Sequence, residues 1–293
     1  MAQRKQKSIL ELPLLALFGT ALKRLFADEA IPLAGNIAFR SIFSIFPFLI
    51  FLTSISGFFG SANLAKGVVE FLLSVAPEAL VNPFSNEIYS ILTVPRAGLL
   101  SVAALLTIWS AMGGVDSVRV GLNRAYDLTD TRPFWFLYAQ NVVVVIGAAV
   151  LMLIVAVLLV ILPAITHFFA AQAPSLFNTI NTFDALRYPA AVVLLMLGLT
   201  AAHQLLPAQR FSILNVLPGA GLTVLFWVLL TEGFGWYLRN FNSFASTYAS
   251  LSGLFAAMFF IYLSALALIF GGEVNRVLIL LRTNKPIPEK KPH

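Results

Sequence analysis

The chain has 293 residues, of which 59% are hydrophobic and only 11% are charged, and its mean hydropathy is +0.88. A soluble domain carries about 25% charged residues, so this composition excludes a water-soluble globular protein and indicates a membrane protein. We attribute the formal net charge of +6 to residues that set membrane topology rather than to binding of nucleic acid. The chain has no cysteine, which excludes disulfides and thiolate metal sites.

The N-terminal segment predicts a helix that lies on the membrane surface. In Leu10–Phe26, leucines and phenylalanines recur at helical spacing, but Glu11, Lys23 and Arg24 interrupt the apolar run. This pattern is typical of an amphipathic interfacial helix. A cleaved signal peptide is the alternative, but no small-residue cleavage site followed by a soluble domain is visible.

Six later stretches are long and apolar enough to cross a bilayer, which needs roughly 20 residues per helix. They are Ile37–Phe59, Gly98–Val118, Tyr138–Ala170, Arg187–Leu206, Ile213–Leu238 and Leu251–Leu281. The third and sixth exceed the required length, so we expect them to tilt or bend, with a kink at Pro163. Ser61–Arg96 predicts short helices on the outer face. The predicted fold class is therefore all-α, a polytopic membrane helix bundle.

We treat residues 1–293 as a single membrane domain, with an interfacial helix in 1–30, the transmembrane bundle in 37–281 and a basic tail in 282–293. Most of the basic residues fall on one side of the predicted spans: Arg4, Lys5, Lys7, Lys23, Arg24, Arg119, Arg124, Arg132, Arg210, Arg276, Arg282, Lys285, Lys290 and Lys291. The other side holds Lys66, Arg96, Arg187 and Arg239. Because basic residues concentrate on the cytoplasmic side, both termini are predicted to be cytoplasmic.

Polar residues in the first and last spans are the first candidates for a binding site. Asn36, Arg40 and Ser44 share one face of the first span. Arg40 is interpreted either as an interface anchor or as a residue that lines an inward-facing cavity. Glu273, followed closely by Asn275, lies at a similar depth in the last span. If the two helices touch, Arg40 and Glu273 are predicted to form an ion pair that clamps them together.

Glu232 is the most unusual residue, because it lies nearly four turns into the fifth span. A carboxylate within the membrane is by default a functional candidate for binding a cation, a proton or a cationic group. The alternative is that Glu232 is hydrogen-bonded to a neighbour or reaches the outer interface.

Beyond the second span, Asp116, Arg119 and Asn123 lie on one face of the continuing helix. The simplest interpretation is an amphipathic helix that leaves the membrane with this face in solvent. In the turn that follows, Arg132 is predicted either to contact lipid phosphate or to cap a helix end.

Catalytic motifs are not visible. The histidines His167, His203 and His293 have no metal-ligand spacing, and the sequence has no glycine-rich phosphate loop, nucleophile elbow or HExxH helix. We therefore expect no enzyme activity, no cofactor and no metal.

Several segments together resemble the YihY/BrkB family of bacterial inner-membrane proteins, once labelled ribonuclease BN-like. They are Ser41–Ile50, Gly113–Phe134, Leu217–Leu238 and Ser246–Asn275. The family pattern marks Ser44, Pro47, Asp116, Asn123, Arg132, Pro218, Gly219, Tyr237, Tyr248, Gly253, Glu273 and Asn275. The resemblance implies a bundle of about six spans in the inner membrane. Arg40 stands where the family usually has an aromatic residue, and Ala249 where glycine is more common.

The leading functional hypothesis is a transport-type membrane protein that holds or moves an amphiphile, a lipid or a small solute in a polar cavity between helices. Arg40 would engage an anionic headgroup or pair with Glu273, and Glu232 would bind the cationic part of a substrate or a coupling ion. The expected partners are membrane lipids and an amphiphilic or ionic small molecule, and not nucleic acid. RNA cleavage would require clustered metal ligands or an acid–base pair, and neither is visible. The alternative is a non-transporting scaffold that organises envelope proteins, in which these residues only fix helix packing. The oligomeric state is left open.

Overall fold

A computed structural model describes residues 14–59, 100–161, 177–240 and 245–287, and the regular elements in these ranges are all helical. The helices are α1 (Leu14–Ala27), α2 (Ala30–Phe59), α3 (Leu100–Ala125), α4 (Phe134–Ala156), α5 (Phe177–Leu205), α6 (Ile213–Asn240) and α7 (Ala245–Arg282). A π-helical segment, Val157–Ile161, continues α4. Helices suit a lipid environment because they satisfy their backbone hydrogen bonds internally.

Five helices of the described residues, α2, α4, α5, α6 and α7, are long and apolar enough to cross a membrane. The predicted all-α polytopic bundle is confirmed. α3 covers the predicted second span and has 26 residues, but the count of six spans stays a prediction. The helices expected in Ser61–Arg96 and the kink expected at Pro163 lie outside the described residues.

The last helix, α7, occupies the centre of the bundle. It packs against α1, α2, α3 and α6, while α4 packs between α3 and α5. Small side chains, among them Ala34 of α2, Ala125 of α3 and Ala265 of α7, fill one buried cluster together with Ile37 and Ile269. Small residues at the contacts allow these helices to approach closely.

α1 packs on the bundle with a face that the sequence did not predict. Leu17 and Ala21 are buried against the C-terminal half of α7, and the ring of Phe18 stacks on Phe270 of α7 with 6.3 Å between the centroids. Leu22 and Phe26 lie on the exposed side of α1. Arg24, one of the charges that interrupt the apolar run, is only 3% exposed and faces the bundle. This corrects the sequence interpretation: α1 has two apolar faces, and the one that packs on α7 carries a charge.

Glycine allows α6 and α7 to touch through their backbones. A Cβ atom at Gly271 would lie 2.6 Å from the carbonyl oxygen of Gly219 and 2.5 Å from Oγ1 of Thr223. Pro218 has no N–H to donate, which leaves the carbonyl of Leu214 without its helical partner. Arg282 supplies the missing donor, since its Nη1 donates to the Leu214 carbonyl at 3.1 Å.

Loops and helix ends converge at one end of the bundle, which we call the base. It comprises α1, residues 126–133, residues 206–212 and the C-terminal end of α7. The backbone N–H of Ala208 donates to Oδ1 of Asn123 at 2.7 Å, which joins the two loops. Most of the buried polar groups described below lie at or near this base.

Candidate functional site

A buried cluster of charges joins α1 to α7. Nε of Arg24 donates to Oε2 of Glu273 at 2.8 Å, and Nη2 of Arg24 donates to Oδ2 of Asp127 at 2.9 Å. Arg276 donates to the same Asp127 oxygen at 3.0 Å. Both Arg24 and Glu273 are almost fully buried. Arg24 is thus the partner of Glu273.

The predicted ion pair between Arg40 and Glu273 is therefore wrong. Nε of Arg40 donates to Oδ1 of Asn36 and its Nη1 to the carbonyl of Gly113, each at 3.2 Å. The reason for the error is the placement of α1, because a helix assigned to the membrane surface was not considered as a source of partners for α7.

A second buried cluster, of uncharged groups, joins α6 and α7 to the end of α3. Asn275 accepts from the N–H of Gly219 at 2.7 Å and donates to the Val216 carbonyl and to the hydroxyl of Tyr126. The Tyr126 hydroxyl also lies 2.9 Å from Nδ1 of His203. Burial raises the pKa of the Tyr126 phenol well above its ordinary value, so this group stays a neutral donor.

Asp130 gathers a third cluster in the loop between α3 and α4. Arg132 holds its carboxylate in a bidentate pair of 2.8 and 2.7 Å, and Arg119 and Asn123 donate to the same side chain. The hydrogen bonds from Arg132 hold the pKa of Asp130 well below its usual range, against an opposing effect of burial. Arg132 also donates to the carbonyl of Leu206, directly after α5, at 2.8 Å.

These contacts correct the prediction of a solvated face beyond the second span. Arg119 and Asn123 are both buried, because the loop that follows α3 folds back over them. Sequence reasoning did not nominate Asp130, although an acid two residues before Arg132 in a turn is a recognisable signal. The hydrogen bonds of Arg132 to described residues go to Asp130, Gln140 and the end of α5.

A cavity of about 560 Å³ lies between α2, α3 and α4. Its lining residues are Phe39, Arg40, Phe43, Trp109, Ser110, Met112, Gly113, Asp116, Arg119, Phe134, Leu137, Tyr138 and Asn141. This volume lies within the range of small-molecule sites. We call it the aromatic cavity, because aromatic side chains from all three helices line it.

The lining of the aromatic cavity is divided between apolar and polar groups. Phe39, Trp109 and Phe134 are each more than half exposed at the surface of the bundle. By contrast, Asn141 is 5% exposed, and its Oδ1 has no hydrogen-bond partner in the described structure. Nη2 of Arg40 also makes no hydrogen bond to a described residue. The cavity thus offers one cationic donor and one buried polar group to a ligand.

Only part of the predicted polar stripe on α2 reaches the aromatic cavity. Arg40 lines it, whereas Asn36 holds the Arg40 guanidinium from the preceding turn. The hydroxyl of Ser44 donates to the carbonyl of Ser41 in its own helix at 2.7 Å. Asp116, also predicted as a site residue, lines the cavity and accepts from Arg119.

The outer candidates on α6 lie elsewhere. Glu232 is exposed at the bundle surface, makes no hydrogen bond or ion pair with a described residue, and does not line the aromatic cavity. The ring of Tyr237 is half exposed and stacks on Phe234, with 6.2 Å between the ring centroids. The structure therefore does not bring Glu232 together with Arg40 in one site.

Comparison with known proteins places this architecture in a family. The sequence profile of the virulence factor BrkB family matches residues 21–292. The chain belongs to the virulence factor BrkB family. The match spans all the clusters and the cavity described above, and it agrees with the resemblance seen in the sequence. No solved structure matches the chain.

Relatives of this family member share most of its length. YfkH of Bacillus subtilis, named a ribonuclease-like protein, is 28% identical over 93% of this chain and 98% of its own. A UPF0761 membrane protein of Alteromonas mediterranea is 24% identical over 88% of this chain and 85% of its own. A UPF0761 membrane protein of Tolumonas auensis is 22% identical over 92% and 87%. The chain is thus a membrane protein of the BrkB and UPF0761 type.

Proposed function

We propose that this BrkB family member binds an amphiphile with an anionic headgroup in the aromatic cavity and moves it across the membrane. One observation carries the proposal: a cavity with exposed aromatic rings also holds Nη2 of Arg40 and Oδ1 of the buried Asn141, and neither atom has a hydrogen-bond partner among the described residues. An amphiphile has an apolar chain that can contact the aromatic rings and a polar headgroup that can contact Arg40 and Asn141.

Burial of unpaired polar groups is the physical basis of the proposal. A buried polar group without a hydrogen bond costs about 1–3 kcal/mol of folding free energy. A ligand that donates a hydrogen bond to Oδ1 of Asn141 would recover this cost. Arg40 does not pair with Glu273, which leaves the interface anchor and the headgroup contact as the roles predicted for it, and its place in the cavity lining favours the headgroup. The rings of Phe39, Trp109 and Phe134 would pack against the acyl chains.

We further propose that the protein lies in the bacterial inner membrane, with both termini and the base on the cytoplasmic side. This orientation rests on the distribution of Lys and Arg along the sequence. It would place the polar clusters of the base where water and headgroups are accessible. Glu232 remains our candidate for the cationic part of a substrate or for a coupling ion.

We propose a binding and transport role rather than an enzymatic one. Among the described residues, the polar side chains that line the aromatic cavity are those of Arg40, Trp109, Ser110, Asp116, Arg119, Tyr138 and Asn141. The hydroxyl of Ser110 donates to a carbonyl of its own helix at 3.1 Å, and the described lining residues include no histidine. This set contains no nucleophile activated by a base, which is why the name of the Bacillus relative is not extended to this chain.

Native mass spectrometry of the detergent-purified protein tests the proposal. The wild type is expected to carry a discrete amphiphile adduct, and Arg40→Gln and Asn141→Leu are expected to lose most of it. Arg124→Gln is the matched control, since Arg124 is a half-exposed arginine paired with Glu29 outside the cavity. An adduct retained equally in all three variants would contradict the proposed site.

The second candidate function is the non-transporting scaffold. The three polar clusters favour it, because each joins different segments of the bundle by hydrogen bonds and would fix their packing. The scaffold predicts that no variant changes an adduct and that Arg40→Gln changes only thermal stability. A folded wild type without any adduct would favour this second function.

A further inference from the structure

A second cavity, which shares no residue with the aromatic cavity, opens at the base. It has a volume of about 470 Å³ and lies between the connection of α5 to α6, the end of α7 and the residues after α3. We infer that this basal cavity binds a phosphate-bearing anion through Arg210, Arg276 and Lys285. This site is independent of the proposed transport function.

The three cations reach the basal cavity from different segments. Arg210 lies in the loop between α5 and α6, and Arg276 lies on α7. Lys285 follows the end of α7, where Asn284 adopts a left-handed conformation with φ of 51°. The N–H of Lys285 then donates back to the carbonyl of Leu280 at 3.0 Å. This helix-terminating turn holds Lys285 beside the cavity.

The charges of the basal cavity do not balance. Of the described residues that line it, Asp127 alone is acidic. Oδ2 of Asp127 already accepts from Arg24, which lies outside the cavity, as well as from Arg276. The side chains of Arg210 and Lys285 make no ion pair with a described residue. The lining therefore carries an excess of positive charge that a dianion would neutralise.

Phosphate fits this lining better than a carboxylate or a halide. A phosphate monoester carries close to two negative charges at neutral pH and presents three acceptor oxygens, which match donors converging from three segments. Basic pockets between the ends of membrane helices are known to bind phosphate headgroups. Phe211 and Ile279 supply apolar contacts, and the volume exceeds that of a bare phosphate ion. The phosphate could belong to a lipid headgroup or to a soluble molecule.

The experiment uses the full chain and has two arms at constant ionic strength. In the soluble arm, pyrophosphate is titrated into detergent-purified protein and binding is measured by calorimetry, with sulfate as the comparison anion. In the lipid arm, native mass spectrometry follows retention of phosphatidic acid against phosphatidylcholine, both supplied in mixed micelles. The variant Arg210→Gln/Lys285→Gln removes two cations of the cavity. Lys23→Gln/Arg124→Gln removes two exposed cations at the same end of the bundle that do not line the cavity.

We expect at least one arm to show binding by the wild type and a loss of tenfold or more in the cavity variant, with the control variant close to wild type. Binding in the soluble arm alone identifies a soluble phosphate compound, and binding in the lipid arm alone identifies a headgroup. No binding by the wild type in either arm overturns the inference. An equal loss in both double variants also overturns it, because the effect would then be general electrostatic attraction. Thermal unfolding of each variant establishes that it is folded.

Discussion

Two asparagines of this protein occupy opposite situations. Asn275, at the contact of α6 with α7, bonds to Gly219, Val216 and Tyr126. Asn141, at the aromatic cavity, is also buried, but its Oδ1 has no partner among the described residues. A buried polar group that is fully bonded holds helices together, whereas one that lacks a partner is available to a ligand. The same contrast separates Arg24, which is paired with three carboxylates, from Arg40, which is paired with no carboxylate of a described residue.

The largest expected loss of stability comes from removing Arg24, the buried arginine that is paired with carboxylates. Arg24→Met leaves Glu273 and Asp127 without their shared partner, and Glu273 is fully buried. We expect the free energy of unfolding to fall by about 3–5 kcal/mol, measured by denaturant or thermal unfolding in detergent. Arg24→Met/Glu273→Met is expected to recover part of the loss. A single variant as stable as wild type would show that the pair does not support the fold.

The same substitution at the two asparagines sharpens the comparison. Asn275→Leu removes the partner of three buried groups, so we expect it to lower the free energy of unfolding by about 1–3 kcal/mol. Asn141→Leu removes a group that has an unsatisfied oxygen, so its effect on stability is expected to be near zero or slightly favourable. Thermal unfolding of the ligand-free protein measures both. Equal destabilisation would mean that Asn141 also has a structural partner.

The pH dependence of stability tests a third buried interaction, the pair of Asp130 with Arg132. Because Arg132 lowers the pKa of Asp130 in the folded state, the unfolded state binds a proton more readily. This stabilisation is fully present above the ordinary Asp pKa of about 4 and declines as the pH falls below it. We expect Asp130→Asn to lower stability at neutral pH by about 1 kcal/mol and to flatten the acid dependence of the unfolding temperature. An unchanged acid dependence would contradict the account of Asp130.

The smallest effect is expected where a pair is exposed. Arg124 and Glu29 are 3.1 Å apart, but both side chains are about half exposed. Neutralising Arg124 is expected to change the free energy of unfolding by less than about 0.5 kcal/mol, because solvent screens such pairs. A loss comparable to that of Arg24→Met would show that pairing alone, and not burial, sets the stabilisation.

The helices were largely predictable from the sequence, because long apolar runs bounded by charges dictate membrane helices. The predicted start of the fifth span at Ile213 coincides with that of α6, and the family resemblance is confirmed. The partners of the polar residues were not predictable in the same way. Helical periodicity reports which residues share a face of one helix, but it does not report which helices are neighbours.

The assignment of Glu273 to Arg40 illustrates this limit. Both residues were placed at a similar depth, but depth alone does not select a partner, and α1 supplies Arg24 instead. Asn141 was missed because a single asparagine in a long apolar helix carries no periodic signal. Its significance depends on burial and on the absence of a partner in the described structure, and both are properties of the packed bundle.

Movement of an amphiphile across a bilayer tests the central claim most directly. The purified protein would be reconstituted into liposomes that contain phosphatidylglycerol with a fluorescent label on its acyl chain. Added dithionite destroys the fluorescence of labelled lipid in the outer leaflet, so the fluorescence lost over time measures exchange between the leaflets. We expect faster exchange between leaflets with wild type than in protein-free liposomes, loss of this increase in Arg40→Gln and Asn141→Leu, and its retention in Arg124→Gln. Exchange that is the same in all the variants, or in protein-free liposomes, would contradict a substrate site in the aromatic cavity.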